Sequence, residues 1–275
     1  MKIKIEPKTM KRKISIFILA LVAVMGVQSA MAWGGWGHHI TAYIAEHHLT
    51  PEAKAKCQHY LKHNLPHYSV WQDYFRHSKP FQEIHYWHMN YVDENFSAIG
   101  SKGNITRDAT YQIERIVKEM GKGGYKNLSD SIVNLNLKLL IHMVGDMHCP
   151  SHVAYPKEMG LKGGKLYNNG KRVNRHTFWD GSPQYLHPKW KADKFLEVCD
   201  TYNEKQIKKV QKGSASKWGI ENGRAMVKTY ECWEDGDDVK KMPKEQREAI
   251  DEIVFGQLRK GGYRLAAVLN NIFKY

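Results

Sequence analysis

Residues 127–147 read NLSDSIVNLNLKLLIHMVGDM, and this stretch decides the fold. Its apolar residues fall on nearly all sides of a helix with 3.6 residues per turn; they are Ile132, Val133, Leu135, Leu137, Leu139, Leu140, Ile141, Met143 and Val144. A helix that is apolar all round has to be buried, and Pro150 ends it soon afterwards. We therefore predict a central helix over Asn127–Met147 with the other elements packed around it.

Helical periodicity continues through most of the remaining chain, and strand patterns are scarce. The further predicted helices are Gly37–Leu49, Pro51–His63 with Thr50 as its N-cap, Asp108–Met120, Lys189–Lys212, Lys217–Trp233 and Pro243–Phe273, the last with a kink at Gly261–Gly262. Gly160–Arg175 and Asp93–Ile105 have the composition of exposed loops, the first with room for a small hairpin. Gly213–Ser216 is a short flexible joint without the composition change of a domain boundary. One all-α domain is the simplest interpretation.

The first 32 residues have the parts of a secretory signal peptide. The basic residues Lys2, Lys4, Lys8, Lys11, Arg12 and Lys13 precede an apolar run, Ile14–Val27, and Ala30-Met31-Ala32 supplies the small residues of a cleavage site. The apolar run is too short to span about 30 Å of hydrocarbon comfortably, and no later run is longer. We predict cleavage between Ala32 and Trp33, a domain over residues 33–275 and no stable membrane association. The destination, periplasmic or extracellular, stays open.

The chain is basic, with 42 Lys and Arg against 28 Asp and Glu among 275 residues and a formal charge of +14. Its composition, including 42% hydrophobic residues, excludes a disordered or collagen-like chain. A secreted basic protein attracts polyanions, because neutralising phosphates releases counterions. Nucleic acid is therefore one candidate partner, and a merely soluble surface is the alternative.

Four cysteines in a secreted chain favour disulfide bonds. Cys57, Cys149, Cys199 and Cys232 are an even number, and the oxidising compartments outside the cytosol stabilise such bonds. We expect one or two disulfides among three possible pairings.

Two histidine–aspartate pairs have the spacing of residues on one helix face. His142 and Asp146 are four residues apart, and His176 and Asp180 repeat the spacing. Side chains at this spacing are neighbours on a helix surface, and imidazole and carboxylate are ligands that zinc accepts. One pair alone is more often an ordinary hydrogen-bonded pair. Two pairs among 15 histidines, with His152 just beyond the helix end, favour a zinc site.

Three motifs taken together resemble the S1/P1 nuclease family. They are WGGWGH at residues 33–38, HMVGDMHCPSH at 142–152 and HTFWD at 176–180, in the family's order. The resemblance implies an all-α, single compact domain with the fold shared by zinc phospholipase C and P1 nuclease. It also implies a secreted endonuclease with three zinc ions that hydrolyses single-stranded DNA and RNA and removes 3′-phosphates from nucleotides. We expect it to be a monomer.

The same resemblance implies three ligand sets. Asp73, His88, His142 and Asp146 hold one ion; Trp33, His38 and Asp146 hold a second; His152, His176 and Asp180 hold the third. Trp33 acts through its α-amine and carbonyl, and Asp146 bridges the first two ions. Asp73 lies in SVWQDYFR (69–76), which is similar to the family's Trp-x-Asp stretch. His85 and His88 are both candidates, and we favour His88 because it forms a Trp-His pair.

The implied catalytic residues are Asp73, Arg76 and Asp146. A carboxylate shared by two zinc ions holds them about 3.5–4 Å apart, where a bridging water becomes the attacking hydroxide. The third ion binds the phosphate and stabilises the leaving oxygen, while Arg76 offsets charge on the equatorial oxygens. Two departures leave substrate contacts open: Cys149-Pro-Ser-His152 replaces Gln-Pro-Leu-His, and Lys165 replaces the Asn that follows two glycines.

Two other functions share part of this pattern. Zinc-dependent phospholipase C is similar in beginning with a ligand Trp, but its last ligand is Glu and its early His lies further from the Trp. Asp180 and the Trp33–His38 spacing therefore favour the nuclease. The second alternative is a secreted, non-catalytic zinc- or nucleic-acid-binding protein that keeps the ligands without turnover.

Overall fold

The computed structural model describes residues 33–275; the predicted signal peptide, residues 1–32, lies outside the described residues. The α-helices of the described part are α1 (Gly35–His47), α2 (Pro51–Tyr60), α3 (Leu65–Tyr68), α4 (Trp71–Phe75), α5 (Ala109–Met120), α6 (Asp130–Met147), α7 (Arg175–Leu186), α8 (Ala192–Cys199), α9 (Glu204–Val210), α10 (Ala215–Lys228) and α11 (Lys244–Phe273). The strands are β1 (Asn90–Tyr91), β2 (Val153–Ala154), β3 (Leu166–Asn168) and β4 (Lys171–Val173). The predicted all-α fold is confirmed.

The central helix is α6, as its composition predicts. Twelve of its 18 residues are buried, including both polar residues of the motif, His142 and Asp146. Around it lies one core cluster to which α2, α5 and α11 contribute. A second cluster gathers the aromatic side chains of Trp33, Trp179 and Trp233 around α7 and α11. Since α6 belongs to the first cluster and α7 to the second, the two histidine–aspartate pairs lie where the clusters meet.

The C-terminal helix α11 continues through Gly261–Gly262, where the sequence predicted a kink. The two glycines have a packing role instead. A Cβ atom added to Gly262 would lie 2.5 Å from Cβ of Ile44, and one added to Gly261 would lie 3.1 Å from Cγ2 of Thr41. The glycines therefore let α11 approach α1 more closely than a side chain would permit.

Side-chain caps explain where several helices begin. Thr50 accepts a hydrogen bond from the Ala53 amide ahead of Pro51, as predicted. Asp108 accepts hydrogen bonds from the amides of Thr110 and Tyr111 at the start of α5, and Asn174 accepts one from the Thr177 amide at the start of α7. The cap at Asn174 fixes where α7 begins, and α7 carries the second histidine–aspartate pair.

Two short strand pairs complete the structure. β1 pairs with β2 in parallel, with Asn90 opposite Val153, and the sequence analysis did not foresee this pair. β3 and β4 form the small antiparallel hairpin expected within Gly160–Arg175. Its turn, Asn169–Gly170, has positive φ at both positions, as hairpin turns of this length require.

Several predicted helix boundaries were wrong: α6 begins at Asp130 rather than Asn127, and α1 covers Gly35–His47 rather than Gly37–Leu49. The segment predicted as Lys189–Lys212 forms two helices, α8 and α9, because Asn203 and Gln206 form a capping box that starts a new helix. α2 ends at Tyr60 rather than His63, and a 3₁₀ turn, Thr229–Glu231, follows α10. Among residues 33–275 no helix has both the length and the apolar character needed to cross a bilayer.

The structure does not contain the predicted disulfide bonds: all four cysteines, which lie in the described part, are free thiols. Cys57 belongs to the first core cluster and Cys149 and Cys199 to the second. Two of the sulfur atoms have other partners, since Cys149 Sγ lies 3.0 Å from Ser151 Oγ and Cys232 Sγ donates to the Lys228 carbonyl. The structure thus has three buried thiols and one partly buried thiol, that of Cys232, where bridges were predicted.

Candidate metal centre

The predicted ligands come from five parts of the chain that converge at the C-terminal end of α6. α6 supplies His142 and Asp146, and α1 supplies His38, which packs against α6 at Gly145. A Cβ atom on Gly145 would lie 2.9 Å from His38 Nδ1, so glycine is what allows the imidazole to reach this position. α4 contributes Asp73.

An inner cluster forms around the carboxylate of Asp146. Its Oδ1 lies 3.1 Å from His38 Nε2, and its Oδ2 lies 2.9 Å from His142 Nε2. The two imidazole rings stack with their centroids 4.2 Å apart. Asp73 Oδ1 lies 3.7 Å from His142 Nε2 and 3.5 Å from Arg76 Nη2. The shared carboxylate thus has a different imidazole at each oxygen, as a bridging ligand would.

An outer cluster forms around Asp180 on α7. His176 Nε2 lies 3.2 Å from Asp180 Oδ2, and His152 Nε2 lies 3.6 Å from Asp180 Oδ1. His152 links the two clusters, because its Nδ1 lies 3.5 Å from Asp146 Oδ1. The side chain of His176 is 40% exposed, whereas those of His152 and Asp180 are buried. The outer cluster therefore faces solvent on the His176 side.

Hydrogen bonds to backbone carbonyls orient two of the imidazoles. His142 Nδ1 donates to the Ser69 carbonyl at 2.7 Å, and His152 Nδ1 donates to the His88 carbonyl at 2.9 Å. Such a bond fixes the tautomer whose Nε2 carries a free lone pair, the usual arrangement behind a metal-ligating histidine. The β1–β2 pair supports the second bond, because it joins the segments that follow His88 and His152.

Burial and neighbouring charges have opposing effects on the pKa values of the inner cluster. Burial, with the neighbouring His142, lowers the pKa of His38. Burial also opposes charge on His142, but Asp146 and Asp73 outweigh it and raise the pKa. Although burial alone would raise the pKa of Asp146, the imidazoles of His142, His152 and His38 hold it well below its usual range. Asp146 is thus an anion in a dry site.

The same balance holds in the outer cluster. Burial disfavours charge on His152, yet Asp146 and Asp180 raise its pKa to about 9. At His176 the attraction of Asp180 and Asp146 is too weak to outweigh burial and the charge of His152, which together lower the pKa of the imidazole.

The polar atoms of both clusters fit a metal ion better than they fit one another. Among the buried atoms that make no hydrogen bond are His38 Nε2, Asp73 Oδ1 and Oδ2, His142 Nε2, Asp146 Oδ1 and Oδ2, His152 Nε2 and Asp180 Oδ2. Buried polar atoms are normally paired, because leaving one unpaired costs about 1–3 kcal/mol. These atoms lie within ion-pair distance without hydrogen-bond geometry, and all are imidazole nitrogen or carboxylate oxygen, the donors that zinc prefers. Two subsets are close enough to share an ion: His38, Asp73 and His142, and Cys149, His152 and Asp180.

The two candidates for the last ligand of the first set have different surroundings. The ring of His88 lies 5.3 Å from that of His152, and burial, His152 and Arg76 hold its pKa well below the usual value. His85 lies beside the exposed His77, with ring centroids 5.4 Å apart. His88 therefore contacts the outer cluster through His152, whereas His85 contacts His77 and His88, with its ring 5.6 Å from that of His88.

Trp33 lies at the same place. Its side chain is fully buried, and the neighbouring Gly34 amide donates to the Asp180 carbonyl at 2.5 Å. Gly37 permits this packing, since a Cβ atom there would lie 2.7 Å from the indole of Trp33.

Residues without a predicted role at the metal centre adjoin it on both sides. Cys149 and Ser151 contact Asp180, with Ser151 Oγ donating to Asp180 Oδ1 at 2.7 Å. Tyr74 and Phe75, next to Arg76, are 69% and 41% exposed. Cys149 and Ser151 lie between two motif histidines, His142 and His152, and this position was the sequence signal for their contact with the site. The only such signal for Tyr74 and Phe75 was their adjacency to Asp73.

A cavity of about 280 Å³ borders the outer cluster; its lining includes Ser151, Val153, Tyr155, Arg175 and His176. A larger cavity, of about 680 Å³, lies between α5, α10 and α11 and is lined by none of the predicted ligands. The smaller cavity is therefore the one that chemistry at the clusters would use.

An all-α domain with buried imidazole and carboxylate clusters that fit metal ions is of the metal-binding class. The family model of S1/P1 nuclease matches residues 33–274, and the chain belongs to this family. It is a nuclease, a hydrolase of phosphodiester bonds, in a family that is zinc-dependent in general.

The chain shares low identity with three nucleases from plants and fungi. Endonuclease 1 of Arabidopsis thaliana is 26% identical over 70% of this chain and 67% of its own length. Nuclease P1 of Penicillium citrinum is 24% identical over 87% of this chain and 97% of its own length. Nuclease S1 of Aspergillus oryzae is 23% identical over 78% of this chain and 71% of its own length.

Proposed function

We propose that the chain is a secreted, monomeric endonuclease that hydrolyses single-stranded DNA and RNA at a site of three zinc ions, with 3′-nucleotidase activity at the same site. The observation that carries the proposal is the convergence of unpartnered, buried imidazole and carboxylate atoms on two neighbouring points. Three metals require three ligand sets; in the sets implied by the motifs, Asp146 is shared by the first two, and the third has its own carboxylate, Asp180.

Each set has members that lie in contact. Asp73, His142 and Asp146 with His88 form the first set, and His38, Asp146 and the terminus of a chain beginning at Trp33 form the second. His152, His176 and Asp180 form the third. Zinc at these positions would supply Lewis acidity to a phosphate and acidify a water molecule.

The protein's own groups account for the rest of the chemistry. Arg76 is buried next to Asp73 and close enough to His88 and His176 to lower their pKa values. Its guanidinium would therefore face a phosphate bound between the clusters and offset the charge that develops on the phosphoryl oxygens. The carbonyls of Ser69 and His88 hold two imidazoles in place, so little reorganisation accompanies the reaction.

Exposed aromatics next to Arg76 support a preference for single strands. Tyr74 and Phe75 project from α4, the helix that carries Asp73. Bases stack on such side chains only when they are not paired in a duplex, and each stacked base contributes about 1–3 kcal/mol. Secretion rests on residues 1–32, whose basic, apolar and small-residue segments match a signal peptide.

The test uses purified protein that begins at Trp33. We expect three zinc ions per chain by elemental analysis, faster cleavage of single-stranded DNA or RNA than of duplex, and weaker binding as salt rises. Phosphatidylcholine should stay intact. Lipid hydrolysis without nuclease activity would favour a phospholipase, and zinc without any hydrolysis would favour a binding protein.

A further inference from the structure

Cys149 lies against the outer cluster although no expected ligand set includes it. Its thiol is fully buried, and Sγ lies 3.6 Å from Asp180 Oδ1 and 3.0 Å from Ser151 Oγ. Sγ, an imidazole nitrogen of His152 and a carboxylate oxygen of Asp180 all lie within 4.8 Å of one another. The sulfur is therefore within reach of an ion that the other two residues hold.

Two further atoms point into the same space. His152 Nε2 and Asp180 Oδ2 belong to side chains that are 0% and 3% exposed, and neither atom has a hydrogen-bond partner. These two buried atoms without partners indicate a ligand at this point independently of the cysteine.

The distances match a tetrahedral ion. Zinc bonds of about 2.0 Å to nitrogen and oxygen separate two such ligand atoms by about 3.3 Å, and a bond of about 2.3 Å to sulfur separates sulfur from oxygen by about 3.5 Å. The observed separations are 3.2 Å from His176 Nε2 to Asp180 Oδ2, and 3.6 Å from both His152 Nε2 and Cys149 Sγ to the other oxygen, Asp180 Oδ1. Small movements would bring the sulfur, one carboxylate oxygen and two imidazole nitrogens around one ion, which can expand to five ligands when it takes a phosphate oxygen.

We propose that Cys149 is a thiolate ligand of the metal ion held by His152, His176 and Asp180. The proposal rests on the proposed function, because it needs a metal at the outer cluster. As the metal–sulfur bond forms, the thiol S–H bond breaks and its proton passes to solvent; sulfur is not oxidised. Ser151, whose hydroxyl lies between Sγ and Asp180 Oδ1, would donate its hydrogen to one of these two anions.

A thiolate changes which metals the outer site prefers. Sulfur is a soft ligand that favours cadmium and zinc over magnesium, calcium and manganese. Replacing it with a hydroxyl should weaken cadmium binding by at least about 10-fold, since losing even an outer partner of a metal ligand costs about 10–100-fold in affinity. Zinc binding should weaken less than cadmium binding.

The experiment replaces zinc with cobalt in protein that begins at Trp33 and compares it with Cys149→Ser and Cys199→Ser. Cys199 is the matched control, because it is a fully buried thiol whose neighbours do not include the expected ligands. We expect a sulfur-to-cobalt charge-transfer band in the unmodified protein and in Cys199→Ser, and its loss in Cys149→Ser. X-ray absorption of the zinc protein should show a sulfur neighbour at about 2.3 Å; this measurement needs no variant.

Each other result contradicts the proposal in a distinct way. Bound cobalt without the band, or zinc without a sulfur neighbour, would overturn the role of Cys149 and leave the proposed function standing. A band that persists in Cys149→Ser would assign the sulfur to another residue. Failure to retain any metal at the outer cluster would overturn the proposed three-zinc site itself.

Discussion

Replacing Gly145 with alanine tests whether the inner cluster needs His38 at its present position. Gly145 lies on α6 next to Asp146, and a Cβ atom there would lie 2.9 Å from His38 Nδ1 and 3.3 Å from its Cε1. Ordinary contacts between such atoms are about 3.5–4.0 Å. The imidazole would therefore have to move by roughly half an ångström or more, away from the position 3.1 Å from Asp146.

The expected loss of stability is small. Alanine is about 1 kcal/mol better than glycine inside a helix, and overpacking a buried site costs about 1–3 kcal/mol. These contributions oppose each other, so Gly145→Ala should destabilise the protein by between about 0 and 2 kcal/mol. The effect on catalysis should be much larger, because metal sites tolerate about 0.2 Å in bond length and a misplacement near 1 Å costs about 10²-fold in rate.

The assay measures zinc content, urea unfolding and cleavage of single-stranded DNA on Gly145→Ala and on a control, Gly256→Ala. Gly256 lies inside α11, and a Cβ atom there would meet nothing within 4 Å. The control should gain up to about 1 kcal/mol and keep its activity. If Gly145→Ala keeps its full zinc content and cleavage rate, metal binding does not depend on the present position of His38, and the role inferred for Gly145 is wrong.

Four other outcomes are expected. Asp146→Asn should lower the occupancy of the two inner ions and cut cleavage by at least about 10²-fold, as elemental analysis and kinetics on the variant would show; the outer ion should stay. Chelation should lower both activity and the melting temperature, because metal binds only the folded chain. Extra residues ahead of Trp33 replace an amine of pKa about 7.7–8.0 with an amide, so such protein should hold less zinc and cleave slowly until a protease exposes Trp33; equal zinc and rates would remove Trp33 from the ligands. Burial raises the pKa of Asp108 to about 6, above its unfolded value, so its contribution to stability is greatest below about pH 4 and falls as pH rises through 6. In urea titrations, the advantage of the natural protein over Asp108→Asn should shrink across that range.

Local patterns predicted the parts of the site that lie on one helix. His142 and Asp146 share a face because of their spacing, and the apolar residues around them require that face to be buried, as α6 confirms. His176 and Asp180 follow the same rule on α7. In both cases the determinant, helical periodicity, is contained in a few consecutive residues.

Contacts between distant segments were not predictable in this way. The choice between His85 and His88 depends on which side of one short segment faces the clusters, and the pairing of β1 with β2 helps to set that orientation. Two residues per strand carry no periodicity from which a strand can be recognised. The split between α8 and α9 was visible in principle, since Asn203 and Gln206 have capping-box spacing, but the apolar pattern continues through it.

The cysteines show why composition alone misleads. An even count in a secreted chain predicts bridges, yet the thiols of Cys57, Cys149 and Cys199 are buried and unbridged. Cys149 lies beside Asp180, whose Oδ2 is a buried atom without a hydrogen-bond partner. A disulfide at Cys149 would take the sulfur away from Asp180. The metal ion proposed for the outer cluster would instead bind both the sulfur and the carboxylate, so a free thiol at this position agrees with the proposal.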